Sequence, residues 1–334
     1  MDINVYSICH RGNVRDKNRD NYYCNGVIPD TENSNFRYGG SFEASAPLLF
    51  GVFDGMDGHL HGERASRYAV EACCGLFPAY QGGNPYKIMK DICEAANKRI
   101  CDEMENVVKG RMGSTASMLL FEQGGMYVCN LGDSPVFIVR DGKIRQISLE
   151  HTERHSYEKA YGKDFSGKKK YRLTKYLGVF PNENELTPYN YFEQAQAGDR
   201  FLICSDGVTD MMKSDEIAGV VSSGKTVEKA AENLLEAALK NGGNDNITLI
   251  IGEISGDVPE NPDGGFFVDG ENAQSAPDEP SKQSKGNIAM LIAAIAMIIT
   301  ALIIAGTLIF GMLNKPHADN TSPTSVSASQ TATH

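Results

Sequence analysis

Residues 48–55 read LLFGVFDG, an apolar run that stops abruptly at Asp54-Gly55. A continuous apolar run bounded by turn residues is typical of a strand that is buried on both faces. The same pattern returns at residues 201–207, and residues 245–251 show it in reverse, with the acid before the strand. The sequence therefore predicts three buried strands, each with an aspartate beside glycine or asparagine at one end.

Two pairs of apolar runs are separated by short glycine-containing turns. Gly-Gly and Asp-Gly between such runs favour tight hairpins. The predicted hairpins are residues 115–131, which turn at Gly124-Gly125, and residues 136–147, which turn at Asp141-Gly142.

Apolar residues recur three and four positions apart in residues 65–76, 88–100 and 227–238, which predicts amphipathic helices. Ser214 is predicted to cap a further helix, because Asp215-Glu216 places negative charge in its first turn. Consecutive hairpins indicate antiparallel sheets, and the helices must cover the outer faces of those sheets. The predicted fold class is therefore an α+β layered sandwich and not a doubly wound parallel sheet.

Composition limits the possible functions. The 334 residues are 41% hydrophobic and 22% charged, which is typical of a globular protein with a substantial core. A formal net charge of −11 argues against a nucleic-acid partner, which usually requires a basic face. The eight cysteines form no CxxC pair and several lie in apolar runs, so we expect reduced core residues in a reducing compartment.

Residues 288–313 form a run of 26 residues without a charge. At about 1.5 Å per residue, such a helix would exceed the ~30 Å core of a bilayer. We therefore predict a single transmembrane helix, with a buried core helix as the alternative. Lys282 and Lys285 on one side outnumber Lys315 on the other, and no secretory signal is visible at the N-terminus, so the large domain is predicted to be cytoplasmic.

The chain accordingly divides into four parts. A globular domain spans residues 1–255, and a linker rich in proline, glycine and acids spans residues 256–287. The linker cannot bury enough apolar surface to offset the entropy of ordering, so we expect it to be flexible. The transmembrane helix at residues 288–313 and a disordered tail at residues 314–334 complete the prediction.

Asp54, Asp206 and Asp245 each lie at the end of a predicted buried strand. If they converge, their negative charge requires cations, and oxygen ligands without Cys or His select hard ions such as Mg²⁺ or Mn²⁺. Each Asp-Gly pair could also be a simple turn, and for Asp141 between polar neighbours that is the preferred interpretation. Spacing alone does not establish convergence.

Seven ordered segments carry a family resemblance. They read GNVRDKNRD at 12–20, VFDGMDGH at 52–59, GSTA at 113–116, NLGDS at 130–134, LTKYLG at 173–178, LICSDGVTD at 202–210 and DNIT at 245–248. Over roughly the first 255 residues the chain resembles the PPM family of metal-dependent protein phosphatases (protein phosphatase 2C-like), especially its bacterial branch. The resemblance implies a four-layer α-β-β-α sandwich of two antiparallel sheets flanked by helices, with metal ions at one sheet edge.

The same resemblance implies two Mn²⁺ or Mg²⁺ ions. Asp54 would bridge them, and the Gly55 carbonyl would bind the second ion. Asp206 and Asp245 would complete the shell of the first ion, and Asp133 would help to hold a third, weaker one. A hydroxide between the two main ions would attack the phosphorus directly.

Two further residues have implied catalytic roles. Asp20 would act through metal-bound water, and Arg15 would clamp the substrate phosphate. Residues 156–170 would form a mobile flap, in which the basic run at 168–170 is interpreted as a solvated charge run.

Four residues depart from the family pattern. Arg19 replaces a glutamate, Asp57 a glycine, Pro135 an arginine and Phe53 an alanine. Exchanging an acid for Arg19 would weaken metal affinity or provide another phosphate ligand. Without cysteine partners, the histidines at 59 and 61 are interpreted as turn or solvent-facing residues.

The expected function is hydrolysis of phosphoserine and phosphothreonine in proteins by a membrane-tethered phosphatase that opposes a Ser/Thr kinase, itself an expected membrane partner. Because of Arg19, an alternative hypothesis is a pseudophosphatase that binds phosphoproteins without hydrolysing them. A third reading is a phosphatase that acts on one dedicated regulator.

Overall fold

The computed structural model describes residues 1–29, 35–56, 61–162 and 171–261. The predicted transmembrane helix and tail, most of the linker, Asp57 and the basic run at 168–170 lie outside these residues. In the described part of the chain, no helix is both long and apolar enough to cross a bilayer.

Eleven described strands form two sheets in which every strand pairs antiparallel with its neighbours. In chain order they are β1 (Asp2–His10), β2 (Asn21–Cys24), β3 (Phe36–Glu43), β4 (Leu48–Phe53), β5 (Ala116–Glu122), β6 (Gly125–Leu131), β7 (Val136–Arg140), β8 (Lys143–Gln146), β9 (Tyr189–Gln194), β10 (Arg200–Cys204) and β11 (Ile247–Ser255). Sheet A has the order β3-β1-β11-β10-β7-β8, and sheet B has the order β2-β4-β5-β6-β9. Both predicted hairpins are present, as β5–β6 and β7–β8, but the first turns at Gln123-Gly124, one residue earlier than predicted, because Gly125 pairs with Glu122.

Helices cover the outer face of each sheet. The helices of the described residues are α1 (Gly62–Leu76), α2 (Pro85–Asn106), α3 (Glu153–Tyr161), α4 (Asp206–Thr209), α5 (Ser214–Ser223) and α6 (Val227–Lys240), and α3 has no buried residue. The apolar faces of α1 and α2 pack on sheet B, and those of α5 and α6 pack on sheet A. A third apolar cluster lies between the sheets, so the layers follow the predicted order α-β-β-α.

Three phenylalanines join the two sheets at the centre of the molecule. The ring of Phe50 lies 5.9 Å from that of Phe121 and 5.5 Å from that of Phe201, centroid to centroid. Alternate residues of β4 face the helices, and Phe53 is fully buried there. A Cβ at Gly51 would lie 3.0 Å from the Phe53 ring, so Gly51 leaves the space that this large residue occupies.

The structure corrects another local prediction and adds several elements. Ser214 is the first residue of α5 and not its cap, because the helix begins where the Glu216 carboxylate accepts a hydrogen bond from the Lys213 amide at 2.9 Å. β1, β2, β3, β9, α3 and the short α4 were not predicted. All the cysteines are free thiols, and each is buried except Cys74.

The first residues of the predicted linker contact the domain. Val258 packs against the core between the sheets. The Gln194 amide donates to the Pro259 carbonyl at 3.1 Å, and the Asn261 amide donates to the Tyr127 hydroxyl at 2.8 Å. The chain therefore follows the sheet B hairpin at least as far as Asn261.

Candidate metal centre

Antiparallel pairing brings the acids to one edge of the molecule. Asp20 precedes β2 and Asp54 follows β4, the strand with which β2 pairs. Asp245 precedes β11 and Asp206 follows β10, which are also paired. Asp133 lies just after β6. Because neighbouring strands run in opposite directions, the end of one strand and the start of the next meet at the same edge.

Four of these acids line a cavity of about 580 Å³. Asp54, Asp133, Asp206 and Asp245 form its acidic side. The remaining lining residues are Met56, Thr115, Tyr171, Arg172, Leu173 and Tyr176. The predicted convergence of acids is therefore present, with an aromatic and basic wall that the sequence did not indicate.

Burial and mutual repulsion disfavour the charged form of two of the carboxyls. Burial, followed by the charges of the four neighbouring aspartates, raises the pKa of Asp54 well above its ordinary value. Burial and Asp245 raise the pKa of Asp20 to about 7, and hydrogen bonds from Ser205 and Thr248 only partly offset this. The Oδ2 atom of Asp20 is buried and accepts no hydrogen bond from any described residue.

The chemistry of these donors fits hard divalent ions. Among the described residues, no three His, Cys, Asp or Glu side chains are arranged to enclose one ion. Mg²⁺ in particular does not require such a cage, because it usually keeps several waters and takes one or two carboxylates from the protein. A buried oxygen atom without a partner and a group of repelling carboxylates are what a cation would satisfy.

Arg15 contacts the acid cluster from its rim. Its Nη2 atom lies 2.8 Å from Oδ2 of Asp245, and its Nε atom donates to the Asn244 carbonyl at 3.2 Å. The side chain is 29% exposed, and Arg15 is not among the described residues that line the cavity. The structure thus places the predicted phosphate clamp against a predicted metal ligand.

Asn246 organises the loop that carries Arg15 and Asp20. Its Nδ2 atom donates to the carbonyls of Arg11 and Lys17, at 2.8 and 2.9 Å, and its Oδ1 atom accepts from the Arg19 amide at 2.8 Å. The sequence interpretation quoted Asn246 as part of a motif and gave it no role. Its position beside Asp245 was the available signal.

Thr115 and Ser134 are two further residues that the sequence interpretation missed. The Thr115 hydroxyl accepts a hydrogen bond from the Asp54 amide at 3.0 Å and lies 2.8 Å from the Ser134 hydroxyl. The Thr115 amide also donates to the Asp54 carbonyl at 2.9 Å. This buried pair therefore fixes Asp54 relative to the turn that carries Asp133.

Glycine allows the acid-bearing loops to touch. A Cβ on Gly55 would lie 2.4 Å from the Arg19 carbonyl oxygen and 2.5 Å from that of Gly62. A Cβ on Gly207 would lie 1.9 Å from the Asn246 carbonyl oxygen. Any other residue at Gly55 or Gly207 would push apart loops that hold Asp20, Asp54, Asp206 and Asp245.

The departures from the family pattern have partial structural explanations. The Nε atom of Arg19 lies 3.8 Å from a carboxylate oxygen of Glu63 at the start of α1. The His61 side chain is 43% exposed, beside Glu63, as a solvent-facing turn residue would be. The Pro135 carbonyl accepts a hydrogen bond from the Cys204 amide at 3.1 Å, which joins the turn after Asp133 to β10.

Comparison with known proteins identifies the family. The profile described as "Protein phosphatase 2C" matches residues 37–242, well over half of the chain. This chain belongs to the protein phosphatase 2C, or PPM, family. The resemblance drawn from the sequence motifs is confirmed.

Two relatives in this family are bacterial. Serine/threonine protein phosphatase PstP of Mycobacterium tuberculosis is 31% identical over 224 residues, which cover 64% of this chain and 41% of PstP. Serine/threonine phosphatase stp of Listeria monocytogenes is 27% identical over 256 residues, which cover 73% of this chain and 92% of the relative. The match to PstP thus spans less than half of its length.

Solved structures share the fold. The crystal structure of the Mycobacterium tuberculosis phosphatase PstP/Ppp superposes with a TM-score of 0.64 at 26% identity, covering 77% of this chain and all of that one. The PstP catalytic domain in complex with two manganese ions gives a TM-score of 0.63 at 26% identity and the same coverage. The two antiparallel sheets with flanking helices are therefore the family's architecture.

Proposed function

We propose that this protein is a Mn²⁺- or Mg²⁺-dependent phosphatase that hydrolyses phosphoserine and phosphothreonine in other proteins. The observation that supports this most directly is the group of five aspartates at one edge of the sheets, where burial and the charges of the other four raise the pKa of Asp54. Membership of the protein phosphatase 2C family supports the same reaction, as do the names of the bacterial relatives.

The residues divide into ligands and supports. Asp54, Asp206 and Asp245, with the Gly55 carbonyl, would hold two ions, Asp20 would act from the buried side, and Asp133 would contribute to a third site. Bound ions would supply Lewis acidity at the phosphate and lower the pKa of water to near neutral. Thr115, Asn246 and Gly207 keep the acids in place.

Substrate recognition would begin at the cavity rim. Arg15 has the planar guanidinium that binds two phosphate oxygens at once, and it lies next to Asp245. Tyr171, Arg172 and Tyr176 form the opposite wall, where they would contact the peptide around the phosphorylated residue and limit water access.

We also propose a location and a partner class. The uncharged run at residues 288–313 would anchor the chain in a membrane with the phosphatase domain in the cytoplasm. A Ser/Thr kinase acting at the same membrane face would produce its substrates. Separation of membrane and soluble fractions, with and without residues 288–313, tests the anchor, and recovery of the full chain in the soluble fraction would refute it.

The direct test is hydrolysis of a phosphothreonine peptide by the full chain, with and without Mn²⁺. Asp206→Asn removes a predicted ligand, whereas Asp141→Asn changes the Asp-Gly turn that we interpret as purely structural. We expect Mn²⁺-dependent turnover that Asp206→Asn abolishes and Asp141→Asn preserves. Binding of the phosphopeptide by a folded protein without turnover at any Mn²⁺ concentration would favour the pseudophosphatase.

A further inference from the structure

A second cavity lies between α2 and residues 179–186, away from the acid cluster. It is a groove of about 490 Å³ with a mainly apolar surface. Cys101, Val179, Phe180 and Leu186 supply its apolar lining, and Cys101 and Val179 are themselves buried. An apolar groove at the surface of a soluble domain is a typical binding site for an apolar side chain.

The floor of this groove is rigidly held. The Asn97 amide donates to the Val179 carbonyl at 2.9 Å, and its Oδ1 atom accepts from the amides of Gly178 and Val179 at 2.7 and 3.0 Å. The Cys101 thiol also donates to the Val179 carbonyl at 3.4 Å. A groove that is already formed loses little entropy when a ligand binds.

The rim of the groove is acidic. Its lining includes the carboxylates of Glu94, Asp102, Glu105 and Glu185 and a single lysine. That lysine, Lys98, lies 2.5 Å from Asp102 and so offsets the charge of one carboxylate. Lys90, outside the groove, lies 3.8 Å from Glu94. The charge that remains is that of Glu105 and Glu185, and it favours a ligand with positive groups.

The end of α2 adds to this negative potential. The last turn of a helix has a partial negative charge and is stabilised by basic residues. The last turn of α2 contains no basic residue and includes Glu105, while the nearby Glu103 and Asp102 are paired with Arg64 and Lys98. A cationic ligand at the groove would offset a charge arrangement that the helix alone leaves unfavourable.

We propose that this groove docks a segment of a protein substrate in which a large apolar side chain is flanked by lysine or arginine. The apolar side chain would enter the groove over Val179 and Leu186, and its basic neighbours would pair with Glu105 and Glu185. Both carboxylates are on exposed residues, and within the described part of the chain no basic side chain forms a close ion pair with either. Lys98 and Lys175 attract Glu105 and Glu185 only at longer range.

The groove and the acid-lined cavity share one stretch of chain. Four residues between 171 and 176 line one wall of the cavity, and the next residues lead directly into the groove floor at Val179. Between them, Leu177 exchanges two backbone hydrogen bonds with Ser114, at 2.8 and 3.1 Å. A substrate docked in the groove would therefore raise the local concentration of its phosphorylated residue near the cavity. This recruitment role rests on the proposed phosphatase function, whereas peptide binding does not.

Binding is tested by fluorescence polarisation of the full chain with three pools of labelled dodecapeptides. The first has a central Leu or Phe flanked by Lys and Arg, the second has Glu and Asp as flanks, and the third has Ser at the centre. We expect saturable binding of the first pool, at least about tenfold tighter than that of the other two. Equal affinity for all three pools, or no saturable binding, would overturn the docking site.

Charge reversal tests whether the first peptide pool binds at the groove. Glu105→Lys combined with Glu185→Lys should weaken binding of the first pool at least about tenfold. Glu236→Lys with Asp257→Lys reverses two exposed charges elsewhere and should change it by less than about twofold. Equal losses in the two double variants would contradict specific docking and indicate attraction by overall charge.

Recruitment is tested by joining the docking segment to a phosphothreonine peptide through a Gly/Ser linker. The fusion should lower KM at least about fivefold with kcat unchanged, and Glu105→Lys with Glu185→Lys should remove the gain. Peptide binding with an unchanged KM would overturn recruitment. Absence of turnover for every phosphopeptide would instead contradict the proposed phosphatase function and leave the measured docking intact.

Discussion

Strand β10 has a buried aspartate at each of its ends, and the two differ in their neighbours. Asp199, before the strand, receives two hydrogen bonds of 2.7 Å from the guanidinium of Arg140. Asp206, after the strand, lies among Asp20, Asp54, Asp133 and Asp245. One end shows how a fold neutralises a buried carboxylate with its own side chains. The other end concentrates carboxylates, with Arg15 as a partner for Asp245 at the rim.

The two ends differ in whether arginine side chains of the fold neutralise the carboxylates. Around Asp199, Glu193 also accepts from Arg140 at 3.0 Å and from Arg145 at 2.6 Å, so two acids are matched by two arginines. Around Asp206, burial and the charges of the neighbouring aspartates raise the pKa of Asp54, so among the described residues the charged form of this carboxyl is disfavoured. Cations from solution would neutralise the carboxylates around Asp206. The predictions below test whether the two ends of β10 differ in this way.

The largest expected effect is on activity. Asp54→Asn should reduce kcat at least about a thousandfold, about 4 kcal/mol of transition-state stabilisation, because it removes the carboxylate at the centre of the cluster. The free energy of unfolding of the metal-stripped protein at pH 8 should stay the same or rise, because one repelling charge is lost. Activity is measured with a phosphothreonine peptide, and stability by urea denaturation in EDTA. Activity close to that of the wild type would refute the role of Asp54.

The opposite end of β10 should show the reverse pattern. Asp199→Ala leaves Arg140 and Arg145 with Glu193 as their one shared acid in a partly buried site, and it should lower the free energy of unfolding by about 3 kcal/mol. The kcat of the folded fraction should stay within about twofold, because no predicted ligand is touched. Urea denaturation and turnover at a permissive temperature measure the two quantities. A loss of kcat without a loss of stability would contradict the purely structural role of Asp199.

The acid cluster should also make the stability of the metal-free protein depend on pH. The pKa of Asp20 is raised to about 7 in the folded state, so the folded protein binds a proton that the unfolded chain releases near pH 4. This group therefore destabilises the metal-free protein progressively as the pH rises from about 4 to 7. Asp20→Asn should remove that penalty.

The measurement is the difference in unfolding free energy between Asp20→Asn and the wild type, in EDTA, at pH 4.5 and pH 8. The variant should gain on the order of 2–4 kcal/mol relative to the wild type between these values. Burial lowers the pKa of His151 to about 3, which acts in the opposite direction but equally in both proteins and so cancels. A difference that does not change with pH would show that Asp20 is not held protonated by its surroundings.

The smallest expected effect concerns the support of the cluster. Thr115→Val deprives the Asp54 amide and the Ser134 hydroxyl of a partner and should cost about 1–3 kcal/mol. Thr115→Ser retains the hydroxyl and should recover most of the loss. Calorimetric titration with Mn²⁺ should show weaker binding for the valine variant and near wild-type binding for the serine variant. Equal weakening in both variants would mean that packing of the methyl group matters and the hydroxyl does not.

The sequence predicted most of what local pattern controls. Residues 48–53 and 201–204 are strands, both glycine turns are hairpins, and Asp54, Asp206 and Asp245 meet at one edge. β1 and β3 were missed, because they depend on pairing with residues far away in the chain. Asp2, for example, pairs with Ser255, and β3 contains Gly39-Gly40 and alternates half-buried with exposed residues.

Sequence patterns could not predict the hydrogen bonds and the ion pair that position the residues of the site. Nothing in the spacing of Thr115 and Ser134 indicates that their hydroxyls lie 2.8 Å apart. The pairing of Arg15 with Asp245 likewise joins residues 230 positions apart and depends on the arrangement of both sheets. The sequence motifs contain the residues of the site, but only the fold shows which of these residues position the aspartates.

Binding of Mn²⁺ to the full chain is the most direct test of the claim that the aspartates at the strand ends form a cation site. Calorimetry should show binding by the wild-type protein that Asp206→Asn greatly weakens and Asp199→Asn leaves unchanged. Phosphothreonine peptide turnover in the same samples should follow the amount of metal bound. Equal Mn²⁺ binding by the wild type and Asp206→Asn, or turnover that persists in EDTA, would contradict the account.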